Sequence, residues 1–167
     1  MALNDTPRDG FLERLHAVRE RLDHLATSTY APDARTDPDP AGSETWHAGN
    51  VFAHIGEFPA YWLGEASLIA TSYTGYPVPF GRTKKDPHRR EAIARDASHS
   101  PQEILTSIVP DLEALRTFIA DLPAAGWEAE GLHETLGIMP MPRIVDEFLV
   151  GHLEEHAQQL ELLLSRS

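Results

Sequence analysis

The chain has 167 residues, with 14 Lys and Arg against 26 Asp and Glu and a net charge of -12, which suits one domain over 1–167. That charge has the wrong sign for a phosphate backbone or an anionic lipid surface, so no nucleic-acid or membrane partner is expected. Cysteine is absent, which rules out disulfides, thiolate metal sites and a cysteine nucleophile. The opening MALNDTPRDG has no apolar core of a leader, and no apolar run approaches the roughly 18 residues of a membrane span, so a soluble, cytoplasmic protein is expected.

Apolar residues at Phe11, Leu15, Val18, Leu22 and Leu25 recur in steps of four and three, which predicts a first helix over Arg8 to Ala26. From Thr27 to Glu44 the composition turns to Pro, Asp, Thr, Ser and Gly and predicts a long connecting loop. A second helix is expected from Trp46 or His47 to about Thr71, with Val51, His54, Phe58, Trp62 and Ile69 on one face and a kink at Pro59. Ser72 to Arg90 lacks helical period and is expected as a long loop without regular structure, an aromatic lid or a solvated segment. Its Arg82, Lys84 and Lys85 suit either a solvated charge run or a substrate carboxylate. A short helix is expected over Glu91 to Ala97. SPQE at Ser100 to Glu103 is a capping-box pattern opening a third long helix to Asp121, bent at Pro110. Leu122 to Pro142 reads as a turn region with at most a short extended piece, and the last helix starts near Pro142.

Four long amphipathic helices and no convincing strand predict an all-α four-helix bundle with long inter-helix loops, whose connections can cross over. In the last helix, Val145, Phe148, Leu149, Leu160 and Leu163 form an apolar stripe that His152 and His156 interrupt. Two imidazoles four residues apart share a face and can grip one ion. Left alone, they would be buried polar groups in need of a partner. With His54 they make a three-histidine set with an open fourth position, suited to a divalent metal, zinc or nickel first, with iron or manganese also compatible. Asn50, Glu57 and Tyr61 lie near the face of His54 and are expected to line a substrate pocket. Trp46 reads as a packing residue, and His133 is held open. A di-iron carboxylate site is disfavoured because the ExxH pairs fall off the apolar stripes or outside the helices. A zincin protease is excluded because HLEEH has Leu, not Glu, after its first histidine. Leu162 and Leu164, flanking Leu163, offer apolar surface for a homodimer.

Two blocks, WHAGNVFAHIGEF and LGIMPMPRIVDEFLVGHLEEHAQQL, resemble the DinB-like superfamily, which includes YfiT-like proteins and the N-terminal domain of mycothiol-dependent maleylpyruvate isomerase. The resemblance spans most of the chain. It implies a DinB/YfiT-like bundle with a divalent metal on His54, His152 and His156. It also implies a thiol-dependent S-transferase acting on a small-molecule thiol and an electrophile. The alternative is a metal-stabilised bundle without turnover that serves as a small-molecule binding or stress-related protein.

Overall fold

The computed structural model describes residues 7–40 and 44–167. Helix α1 runs from Arg8 to Ala26 and buries Phe11, Leu15, Val18, Leu22 and Leu25, the predicted stripe. Helix α2 spans Ala48–Ser72. Its N-cap is His47, whose backbone N–H donates to Asn50 Oδ1 at 3.2 Å, satisfying an otherwise unpaired helix-end donor. The helix continues through Pro59, which is itself buried.

The segment expected to be an irregular loop contains regular structure. Val78–Phe80 forms strand β1, and α3 spans Pro87–Asp96, starting earlier than predicted because Asp86 accepts the Arg89 N–H at 2.9 Å and Pro87 follows it. The capping box at Ser100 is present in both directions. The single bent helix expected after it is two helices, α4 Pro101–Ser107 and α5 Val109–Asp121, divided at Ile108. Pro110 lacks the amide that would continue α4, and it fits the first turn of a new helix instead.

After the short helix α6, Ala124–Trp127, strands β2 (Glu130–His133) and β3 (Gly137–Pro140) form a hairpin. β1 pairs parallel to β2 with Val78 opposite Gly131, and β2 pairs antiparallel to β3 with Leu132 opposite Ile138. The expectation of no strand is therefore corrected. Strands of three or four residues are too short to show an alternating pattern. Gly131 is required where it stands, since a Cβ there would lie 2.6 Å from the Phe80 ring.

The last helix begins as α7, Met141–Val145, passes through one π-helical turn at Asp146–Val150, and continues as α8, Gly151–Ser165. A π turn inserts a residue and shifts the helical register. Gly151 permits it, because a Cβ at that position would meet the Asp146 carbonyl oxygen at 2.3 Å. Arg14 of α1 clamps both sides of the turn, donating to Asp146 and Glu154 at 2.6 Å. Beyond the turn the buried face is Leu153, His156, Ala157, Leu160 and Leu163, and His152 lies on its shoulder.

In the bundle, α1 packs against α4, α5 and α8, and α2 packs against the same three helices and most extensively against α3. They therefore sit on opposite corners, and the long connection between them crosses the bundle, as the loop lengths allowed. This placement lays His54 of α2 beside His152 and His156 of α8. No helix among the described residues is long and apolar enough to cross a membrane.

Candidate metal centre

The ring nitrogens of His54, His152 and His156 converge within 4.8 Å of one another. His152 Nε2 lies 3.1 Å from His54 Nε2 and 3.1 Å from His156 Nε2. Each ring is oriented from its far side by the residue three positions on, which a helix places on the same face. His54 Nδ1 pairs with Glu57 Oε1 at 2.8 Å, His156 Nδ1 with Gln159 Oε1 at 2.7 Å, and His152 Nδ1 stands 3.5 Å from Glu155 Oε2. Glu57 is in turn held by Arg82, which donates to its other oxygen and stacks over Tyr61 at 4.0 Å.

Counting protons shows what this arrangement lacks. Burial first, then the neighbouring His156 and His152, hold His54 well below the ordinary imidazole range. Burial and His152 likewise push His156 down to about 3. Both rings are neutral at physiological pH, and with their single protons on Nδ1 toward Glu57 and Gln159, their Nε2 atoms present bare lone pairs. His152 Nε2 faces both lone pairs and can carry only one proton, so hydrogen bonding alone cannot satisfy the three nitrogens. A cation can. Nitrogens bound tetrahedrally to one zinc ion at about 2.05 Å would stand roughly 3.3 Å apart, close to the separations found. The donor set therefore fits a divalent metal, and the partners on Nδ1 are those that orient metal-binding histidines. Among the described residues no carboxylate or further histidine joins the cluster.

The cluster opens into a cavity of about 350 Å³. One wall is the loop at Thr36–Pro40, read from sequence only as a connector and tied down where Thr36 N–H donates to the Trp46 carbonyl at 2.8 Å. Trp46 is more than a packing residue. Its ring meets that of His54 at 5.3 Å and that of His156 at 6.3 Å between centroids. The Arg89 guanidinium lies over the Trp46 ring, 5.5 Å from its centroid. Gln159, Glu155 and Arg89 went unnoticed in the sequence. The first two carry a readable signal, standing three residues after His156 and His152.

Asn50, Glu57 and Tyr61 do not line this cavity. Asn50 caps α2, Tyr61 carries Arg82 on its face, and Glu57 sits behind His54, where burial raises its carboxyl above the usual range and Arg82 opposes the rise. Of the two readings of the Ser72–Arg90 segment, an aromatic lid or a solvated loop, the lid finds no support at this cavity: Phe80 is buried against Trp62, Phe148 and His133, Tyr76 is exposed, and no aromatic residue of the segment lines the cavity. His133 is remote from the cluster. Its Nδ1 accepts the backbone N–H groups of Thr135 at 3.2 Å and Leu136 at 3.3 Å, pinning the hairpin turn. Leu162 lines the cavity and Leu164 packs partly against the core.

A search of solved structures found YfiT from Bacillus subtilis, described as a probable metal-dependent hydrolase with an unusual four-helix bundle topology. It is similar with a TM-score of 0.72 and 15% identity over 99% of this chain and 90% of its own. The mycothiol-dependent maleylpyruvate isomerase is similar with a TM-score of 0.64 and 15% identity, and a histidine-to-alanine mutant of it with 0.63 and 13%. This chain is matched over 96% of its length but spans 63% of the isomerase in both cases. At such identities the likeness is one of fold. No curated protein matches the sequence. The family model of the DinB superfamily matches residues 14–160, and with that match over most of the chain, this protein belongs to the DinB superfamily.

Proposed function

We propose that this protein holds a divalent metal on His54, His152 and His156 and uses it for thiol-dependent chemistry, an S-transfer to a small electrophile. The observation that carries the reading is the three converging Nε2 atoms, short of protons, at the floor of an open cavity. A closed structural site would have a fourth protein ligand, and none joins the cluster among the described residues. A divalent cation there would lower the pKa of a thiol in the cavity and keep it as thiolate at neutral pH. The protein's own part is positional. Glu57 and Gln159 fix the rings so that Nε2 points inward, Arg82 holds Glu57, and Trp46 with the Thr36–Pro40 loop walls off the cavity. In the reaction the S–H proton leaves to solvent, a new S–C bond forms, and the leaving group departs from the electrophile.

The likeness to YfiT and to the mycothiol-dependent isomerase supports metal-dependent and thiol-dependent chemistry respectively, and one assay separates them. Metal-loaded protein is mixed with a model electrophile in the presence and absence of several bacterial thiols. Thiol-dependent consumption is expected. Consumption without thiol would point to hydrolysis, and no turnover with any thiol would refute the S-transfer reading.

A further inference from the structure

Arg89 is a buried cation with no direct ion-pair partner among the described residues. It stands in the first turn of α3, where its own backbone N–H is fixed by the Asp86 cap. Its side chain runs inward, leaving the residue 8% exposed. The guanidinium borders the histidine cavity beside Trp46. It makes one hydrogen bond among the described residues, Nη1 donating to the Lys84 carbonyl at 3.2 Å, and no described carboxylate comes within the 4.0 Å of an ion pair. A guanidinium has five N–H donors, so most of them have no hydrogen-bond partner among the described residues, on a side chain that borders the cavity.

The other cations nearby are already engaged. Arg82 is paired with Glu57, Lys84 with Asp39 and Arg166 with Asp37. Of the acids lining the cavity, Asp37 is held by Arg166, Asp39 is held by Lys84 through Oδ2 while its buried Oδ1 has no hydrogen-bond partner among the described residues, Glu155 stands against His152, and Glu44 is at the exposed rim. Asp39, Glu44 and the Glu57 behind His54 act on Arg89 only from beyond pairing distance. Burying an arginine without an acid is strongly unfavourable unless an anion completes it. Its planar fork matches a carboxylate through two parallel hydrogen bonds.

We propose that Arg89 is the anion-binding residue of this cavity and that the small molecule bound there carries a carboxylate. This deepens the function proposed above and rests on it for the placement of the carboxylate's carrier between Arg89 and the histidines. The earlier alternative for Arg82, Lys84 and Lys85 is thereby moved to a residue on the next helix. Arg82 and Lys84 are occupied by acids, and Lys85 is exposed.

The test titrates propionate and its neutral isostere propionamide into the protein as purified, and again after zinc loading. The reporter is the indole N–H resonance of Trp46, which borders Arg89. Saturable shifts are expected with propionate and not with propionamide. The propionate affinity should fall at least tenfold in Arg89→Gln and be partly kept in Arg89→Lys, which retains charge but loses the fork. Equal responses to the two probes in the parent protein would overturn the proposal, and this holds even if a variant fails to fold. Undiminished propionate binding by folded Arg89→Gln would overturn it as well. The thiol reading fails by a different sign, absence of a thiolate-to-cobalt charge-transfer band when 2-mercaptoethanol is added to cobalt-loaded protein. That result leaves the propionate outcome intact.

Discussion

His133 and His156 are buried to the same degree, each 5% exposed, and both sit among aromatic rings. Their lone pairs nevertheless have opposite fates. At His133 the chain itself spends the lone pair, because Nδ1 accepts the amides of Thr135 and Leu136 in the β2–β3 turn. Gly81 lies so close that a Cβ would stand 2.5 Å from the ring, which leaves no room for a ligand on that side. At His54 and His156 the Nδ1 protons are directed at Glu57 and Gln159, and the lone pairs are turned toward His152 and a cavity. A buried histidine is thus uninformative until one knows where its unprotonated nitrogen points.

The largest expected effect comes from exchanging the two roles. His156→Ala should abolish stoichiometric metal binding in a folded protein. His133→Ala should retain metal but lose about 1–3 kcal/mol of stability, because two turn amides lose their acceptor. Elemental analysis beside denaturant unfolding reads both, and a folded His156→Ala protein that keeps its metal would break the comparison. Next in size, Glu57→Gln should weaken metal affinity about 10- to 100-fold by slackening the hold on His54. Competition with a chromophoric chelator measures it, and an unchanged affinity would mean that the Nδ1 contact does not orient the ring.

The π turn offers a third probe, since nothing comparable supports His133. Gly151→Ala places a methyl against the Asp146 carbonyl and should cost about 1–3 kcal/mol, as overpacking does. It should also lower metal affinity, because His152 is the next residue. Stability retained in full, with metal affinity unchanged, would show that the turn is not needed to aim the ring.

The smallest effect concerns pH in metal-free protein. His54 and His156 have folded pKa values below the ordinary value of about 6.5, so between those values the unfolded chain binds more protons than the folded one. The stability they contribute is present above about pH 6.5 and is lost as pH falls toward the folded values. Thermal unfolding between pH 4 and 7 should show this slope, flattened in a His54→Ala, His156→Ala double variant. An equal slope in parent and variant would assign it to other groups.

Much of the frame was legible because it is local. Helix α1 falls at its predicted residues, Arg8–Ala26, since its 19 residues repeat one apolar period without interruption. The Ser100 capping box and the end of α5 at Asp121 follow from side chains within one turn of the chain. The two helical blocks around His54 and His152 also carried the DinB resemblance, now matched over residues 14–160. What escaped notice was short or distant. The three strands have three or four residues each, β1 and β2 pair across 53 positions of sequence, and none has a periodic pattern of its own. The short helix expected over Glu91 to Ala97 begins one turn earlier, at Pro87, although its Asp-Pro start is visible in the sequence, because the segment before it is rich in Gly and Pro.

The sequence by itself determined that this chain forms amphipathic helices, carries excess negative charge and places histidines where apolar residues would otherwise pack. Those are properties of composition and period, set within a few residues of each position. Only the tertiary structure decided that the three imidazoles meet, that Trp46, Arg89 and the Thr36–Pro40 loop share their cavity, and that His133 does not. The physical reason is that proton direction and ion pairing depend on what lies across the bundle. Arg82 is consumed by Glu57 on α2 and Lys84 by Asp39 in the first loop, whereas Arg89 has no ion-pair partner among the described residues and feels Glu57, Glu44 and Asp39 only from beyond pairing distance. The spacing of residues along the chain carries no record of that.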